Sequence, residues 1–240
     1  MTKQKNKEYD EAKRMFMQLI ETDAYVDISE DVKYPPVAIS CGSYTDTDFN
    51  GNSTEYKIPI GTYGNFSFIQ APPKSMKSFF SSLLVSAYQT GGNSLSGKIK
   101  GERNGRKIVH FDTEQGKFHC QKVFRRPLLM NDINHDEDYY TYALRTMSYK
   151  DRVDFIDYIL YDKLGGKNIG LVVIDGIADL VGDVNNLEQC NEAIQKLMSW
   201  TDDLQCHIVT IIHSNFGSDK PTGHLGSFLE KKAETQIKLE

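Results

Sequence analysis

Apolar residues at Tyr9, Ala12, Phe16, Leu19 and Ile20 keep the spacing of one helical face and predict a helix over about Glu8 to Thr22. The stretch from Tyr34 to Ile60 is rich in Pro, Gly, Asn and Asp and holds one short strand candidate, Val37 to Ser40. Asp46 to Thr54 reads as an exposed turn or loop. From Gly61 onward the rhythm changes. Short apolar runs of the buried-strand kind begin at Phe66, Lys107, Tyr139, Ile169, His207 and Thr235. Helical patterns alternate with them, among them one with Val153, Ile156 and Leu160 on one face and one aligning Leu187, Cys190, Ile194 and Leu197. Repeated β-α-β units with near-continuous apolar strands predict an α/β fold, a mostly parallel sheet with helices on both faces. Residues 1–60 read as a helix and extended lead-in packed on a main domain spanning 61–240.

Composition narrows the class. Of 240 residues, 39% are hydrophobic and 25% charged, which suits a soluble globular chain with a sizeable core. Lys and Arg number 28 against 33 Asp and Glu, a net charge of -5, so bulk positive charge is excluded as a way of holding nucleic acid. A local basic groove remains open. The first residues, Met1 to Phe16, are charged and lack the apolar stretch of a secretory signal. The longest apolar run, Ile169 to Val181, is interrupted by Asp175 and Asp179 and is too short to span a bilayer. Four scattered cysteines form no CxxC, and neighbours such as His119-Cys120 and Cys206-His207 diverge in helices and strands, which disfavours a zinc site. A cytoplasmic protein with reduced thiols and no membrane partner is expected. The 13 tyrosines and 12 phenylalanines fall mostly on the apolar faces and are explained by core packing.

Four strand ends carry candidate chemistry. The segment Ala71-Pro72-Pro73-Lys74-Ser75-Met76-Lys77-Ser78-Phe79 follows one strand and opens a helix. The pattern G-x-x-x-x-G-K-[ST] sets backbone N–H groups around phosphates, with its Lys on the β/γ-phosphates and its hydroxyl on Mg²⁺. Here Lys77 and Ser78 are present, while Ala71 and Met76 replace both glycines. Pro72 and Pro73 lack an N–H, but Lys74 to Ser78 keep theirs. The Cβ of Met76 is expected to hinder close backbone approach, and Lys74 adds a second cation. An ordinary strand-to-helix turn with a lysine would look the same.

Asp175 ends the run Leu171-Val-Val-Ile, where ligands of open α/β sheets bind, and suits a Mg²⁺ shell or a turn cap. Glu114, closing His110-Phe-Asp-Thr-Glu, can orient and polarise an attacking water, or be a solvated loop acid. His213, at the polar end of the strand Ile208 to Ile212, can sense a γ-phosphate or simply cap the strand.

Taken in order, these segments resemble the RecA-like ATPases: strand-exchange recombinases, the clock ATPase KaiC, DnaB-type replicative helicases and the plasmid helicase RepA. Phe111-Asp-Thr-Glu114 is similar to the family's catalytic-glutamate strand, and Leu171 to Val181 to the Walker B segment and the turn after it. Thr222 to Ser227, followed by Ala233 to Leu239, resembles the glycine-bearing loop and next strand after the sensor. The resemblance covers Gly61 to Glu240, and the paired prolines of the phosphate loop are nearest the RepA-like helicases.

It implies a RecA-like three-layer αβα fold with a mostly parallel, twisted central sheet, binding ATP and Mg²⁺. Lys77, Glu114 and His213 would be catalytic, Ala71 to Phe79 would hold the nucleotide, and Ser78 and Asp175 the Mg²⁺. Relatives complete the site with a Lys or Arg finger from a neighbouring subunit, usually on strands beyond the point where this chain stops. Lys231 and Lys232 are as readily a solvated helix face. The implied assembly is a homo-oligomer, a hexameric ring or a filament, acting on DNA, single-stranded by preference.

In relatives the DNA-contacting loops follow the Walker B and sensor strands, here about Gly182 to Asn186 and Phe216 to Gly226; mobile surface loops fit equally. Lys98, Lys100, Arg103, Arg106 and Lys107 form a basic, hairpin-like stretch that suits a solvated face or nucleic acid. The implied function is ATP-driven DNA remodelling or translocation by a helicase of a plasmid or mobile element. The substituted glycines motivate two alternatives, a non-hydrolysing nucleotide switch or scaffold and a clock-type ATPase or phosphotransferase acting on protein.

Overall fold

The computed structural model describes residues 2–91, 97–215 and 220–240. The chain divides into two compact units, Met1–Tyr34 and Pro35–Glu240. The first is one helix, α1 (Thr2–Ala24), longer at both ends than the apolar spacing predicts, followed by a turn closed by the Asp27 carboxylate.

The second unit runs β1 (Val37–Thr47), β2 (Ser53–Thr62), β3 (Phe66–Ala71), α2 (Lys77–Thr90), β4 (Ile99–Gly101), β5 (Lys107–Asp112), α3 (Lys117–Met130), β6 (Tyr139–Ala143), α4 (Tyr149–Asp157), β7 (Ile169–Asp175), α5 (Leu187–Leu204), β8 (His207–His213), α6 (Gly223–Lys232) and β9 (Thr235–Lys238). A π-helical turn, Tyr158–Lys163, prolongs α4.

Six strands form a parallel sheet in the order β6-β5-β7-β8-β3-β9. Alternate residues of β7 show why its apolar run is unbroken. Leu171 and Val173 pack with Leu84 and Tyr88 of α2, while Val172 and Ile174 pack with Ile194, Leu197 and Trp200 of α5. Both faces are covered, so neither position tolerates a polar side chain. The result is the helix-covered parallel sheet that the strand pattern predicts, in the RecA-like three-layer αβα form that the resemblance implies.

Three expectations are corrected. Asp46 to Thr54 is not one loop: β1 continues through Thr47 and β2 begins at Ser53, paired antiparallel with Tyr44 opposite Tyr56. The turn between them is short because Asp48 Oδ1 accepts the N–H of both Asn50 and Asn52 at 2.8 Å. The basic stretch is not a hairpin, because β4 joins β1 in a second sheet, order β2-β1-β4, whereas β5 joins the parallel one. Three of its five cations are engaged structurally: Arg103 forks onto Asp136, Arg106 lies over the Tyr63 ring, and Lys107 reaches Lys167 O, while Lys98 and Lys100 are exposed. Thr222 to Ser227 is not a loop but the start of α6, whose Leu225 and Leu229 stand one turn apart and are fully buried.

Candidate active site

β3 delivers the chain to the phosphate loop, which ends buried at Ala71 and emerges at Pro72. Lys74 and Met76 both adopt left-handed backbone, at φ 67° and 62°. Met76 occupies the motif's second glycine position, so the loop keeps a glycine-like turn at a cost of roughly 1–2 kcal/mol per side chain. Met76 is 76% exposed, and its left-handed φ is strained for a residue that carries a Cβ.

α2 begins at Lys77 with no side-chain cap; the N–H groups of Phe79 and Phe80 donate to Met76 O at 2.9 and 3.0 Å, which leaves the earlier ones, of Lys77 and Ser78, for an anion. Ser75 Oγ and Lys77 Nζ both donate to Pro72 O, at 2.6 and 2.9 Å, and close the loop on itself. Arg126, from α3, donates to Ser78 O at 2.8 Å and lies 5.4 Å from the centre of the half-exposed Phe79 ring. No local pattern announces that brace, because its partner is 48 residues away.

Ser78 Oγ donates to Asp175 Oδ2 at 3.1 Å, joining the phosphate loop to the end of β7. Asp175 is 4% exposed; burial, then the charges of Asp112 and Glu114, push its carboxyl up to about 7. Its peptide bond to Gly176 is cis. Partial burial lowers the Lys77 ammonium, against the pull of Glu114 and Asp175.

Glu114 stands past β5 with Oε1 at 3.3 Å from His213 Nε2, and that hydrogen bond holds its carboxyl below the usual glutamate range. A Cβ on Gly176 would come within 3.2 Å of Glu114 Oε1, so the absence of a side chain there lets the carboxylate lie across the β7 turn. The fold thus gathers Lys77, Ser78, Glu114, Asp175 and His213 at adjacent strand ends. Lys231 and Lys232 lie exposed in the last turn of α6. Phe216 and the three residues after it fall outside the described residues.

Asp112 is the residue that motif reading passes over. It is fully buried, and its Oδ1 accepts the N–H of Glu114 at 3.0 Å and of Gln115 at 2.8 Å, while Oδ2 accepts Gln115 Nε2 at 2.8 Å. It fixes the turn that presents Glu114. An acid two residues before the glutamate is the spacing of an Asx-turn, a signal already present in the sequence. Beside it, Thr113 Oγ1 accepts from Gly176 N at 2.8 Å and donates to Asp179 Oδ2 at 2.8 Å, tying the β5 and β7 turns together. Arg152 then donates to Asp179 O and to carbonyls of the β5 and β6 ends.

A family model for an AAA domain matches residues 58–219, well over half of the chain, from within β2 through every strand-end residue above. The chain belongs to the AAA-domain family. This AAA domain is therefore a nucleotide-binding P-loop ATPase. No curated protein matches the chain. Among the described residues, no helix of the AAA domain or of α1 is long and apolar enough to cross a membrane. None of the described residues forms a group of three or more His, Cys, Asp or Glu able to hold a metal ion by itself.

Proposed function

We propose that this AAA domain hydrolyses ATP and couples hydrolysis to remodelling of, or movement on, single-stranded DNA, as a ring or filament of RepA-like subunits. Glu114 carries the hydrolytic reading. Its carboxylate is ionised, 44% exposed, and held by His213 close enough to Lys77 to feel its charge. In this role Lys77 exchanges Pro72 O for phosphate oxygens, and the N–H groups of Lys74 to Ser78 join it. Glu114 orients a water and accepts its proton as the water oxygen bonds the γ-phosphorus and the bond to the ADP oxygen breaks. His213 touches Glu114 from β8, so loss of the γ-phosphate is felt on that strand.

Ser78 and Asp175 suit Mg²⁺. Their hydroxyl and carboxylate already meet, and Asp175 lies among acids with too little positive charge nearby. Bound Mg²⁺ supplies charge that offsets the phosphate oxygens. For DNA, the segment after β8 offers exposed Lys220 and His224, whereas residues 182–186 carry Asp183 and no cation.

The test is hydrolysis of γ-labelled ATP with and without single-stranded DNA, beside Lys77→Ala. DNA-stimulated turnover lost in Lys77→Ala is the expected result. Binding without turnover would leave a nucleotide switch, and label on protein would mean a phosphotransferase.

A further inference from the structure

Among the described residues, β1 beyond Gly42 pairs only with β2. Residues 41–47 and 53–58 are exposed, forming a two-stranded ribbon. An isolated ribbon of this kind is marginal in water without a partner. Directly opposed residues share a face, as do residues two apart, so Tyr44, Asp46, Thr54 and Tyr56 lie on one side. Tyr44 and Tyr56 stack with ring centres 5.4 Å apart, and Phe49 at the turn is wholly exposed. From residue 41 to 58 the ribbon carries Asp46, Asp48 and Glu55 against one cation, Lys57 at its base, which is paired with Glu102. Such a surface repels phosphate backbones and anionic lipid alike.

The complementary pattern lies on α3, which has four cations and no acid. Phe118, Lys122, Arg125 and Leu129 are spaced by four, three and four residues, one face of a helix, and all four are exposed. Phe118 and Leu129 are 66% and 77% exposed, and Lys122 Nζ sits 4.6 Å from the Phe118 ring centre. The two faces carry opposite charge beside exposed rings or apolar side chains: Asp46 next to the stacked tyrosines, and Lys122 and Arg125 between Phe118 and Leu129.

We propose that the β1–β2 ribbon of one copy of this chain docks on the Phe118–Leu129 face of α3 in a second copy. The two surfaces differ, so the contact is head to tail and repeats from subunit to subunit. The proposal rests on the homo-oligomer in the reading above and gives it an interface, but it requires no hydrolysis. It also seats each ribbon against the helix that leaves the Glu114 turn.

Sedimentation of the full chain tests this with a charge exchange. Asp46→Lys with Thr54→Lys makes the Tyr44–Tyr56 face of the ribbon basic and spares the Asp48 turn, while Lys122→Glu with Arg125→Glu makes the Phe118–Leu129 face of α3 acidic. Wild type is expected to sediment as an oligomer that shrinks as salt rises, and each variant, with its melting temperature within a few degrees of wild type, as a monomer. Mixed in equal amounts, the variants should reassemble, because every ribbon then meets an α3 of opposite sign. A monomeric wild type, a variant that still assembles alone, or a mixture of folded variants that stays monomeric overturns the docking. So does loss of DNA binding in the α3 variant with its assembly intact, which would make α3 a polyanion site. Hydrolysis is assayed in parallel: an oligomer without turnover supports the docking and overturns only the catalytic reading.

Discussion

Glu114 and Asp175 are carboxylates at the ends of adjacent parallel strands, and the fold drives them in opposite directions. Asp175 is sealed under the phosphate loop with two other acids near it, and its carboxyl is pushed up to about 7. Glu114 is half-exposed against His213, and its carboxyl is pulled down. Desolvation penalises the charged form of the first, and hydrogen bonding stabilises that of the second. Two acids separated in this way can take different tasks. In the proposed reading the buried one is offset by a cation, and the exposed, ionised one takes a proton.

The largest effect that would break this division is on turnover. Glu114→Gln should lower ATP hydrolysis by about 10²–10⁴-fold while nucleotide affinity changes little. Asp175→Asn should instead weaken Mg²⁺-dependent nucleotide binding by roughly 10–100-fold. Turnover assays and nucleotide titrations would show the contrast, and equal losses of binding in both variants would erase it.

Stability sharpens the same point with the opposite sign. The Asp175 carboxyl sits at about 7 in the fold against an ordinary 3.8, so the folded protein holds the proton more tightly than the unfolded chain. Through this group stability falls as pH rises from about 4 to about 7. Asp175→Asn removes that loss, so in chelator it should match wild type near pH 4 and exceed it at pH 8, by up to about 4 kcal/mol. His110 and His207 act in the other sense. Burial lowers them to about 3 and about 4, so their contribution is present above 6.5 and is lost as pH falls below it. The variant's melting temperature should therefore climb more steeply than wild type's between pH 4 and 6.5.

A smaller effect probes what holds Glu114 in place. Asp112→Ala strips the acceptor from two turn N–H groups and should cost about 1–3 kcal/mol. It should lower kcat more than nucleotide affinity, while Asp112→Asn, which keeps Oδ1, should recover most of both. The smallest concerns the phosphate loop. Met76→Gly relieves the left-handed strain and should stabilise by up to about 1 kcal/mol with turnover unchanged or improved, as measured by melting and initial rates.

Much of this architecture is legible before any coordinates. The run from Ile169 to Ile174 can only be a strand covered on both faces, and each candidate acid follows such a run. Less legible is α6, whose glycines read as a loop until Leu225 and Leu229 find a core to enter. The same holds for β1 and β2, whose distal residues are polar or aromatic without burial, so cross-strand pairing alone defines them. The strained conformation of Met76 has no sequence signal beyond the motif it departs from.

The sequence by itself determined the alternation of strands and helices, the strand-end placement of Lys77, Glu114, Asp175 and His213, and the mild acidity of the chain, because each depends on neighbours within a few residues. Only the tertiary structure decided that Ser78 meets Asp175 across 97 positions and that Glu114 meets His213 across 99. It alone decided which carboxylate is buried and which is open, because desolvation is set by every element packed around a group rather than by its place in the chain.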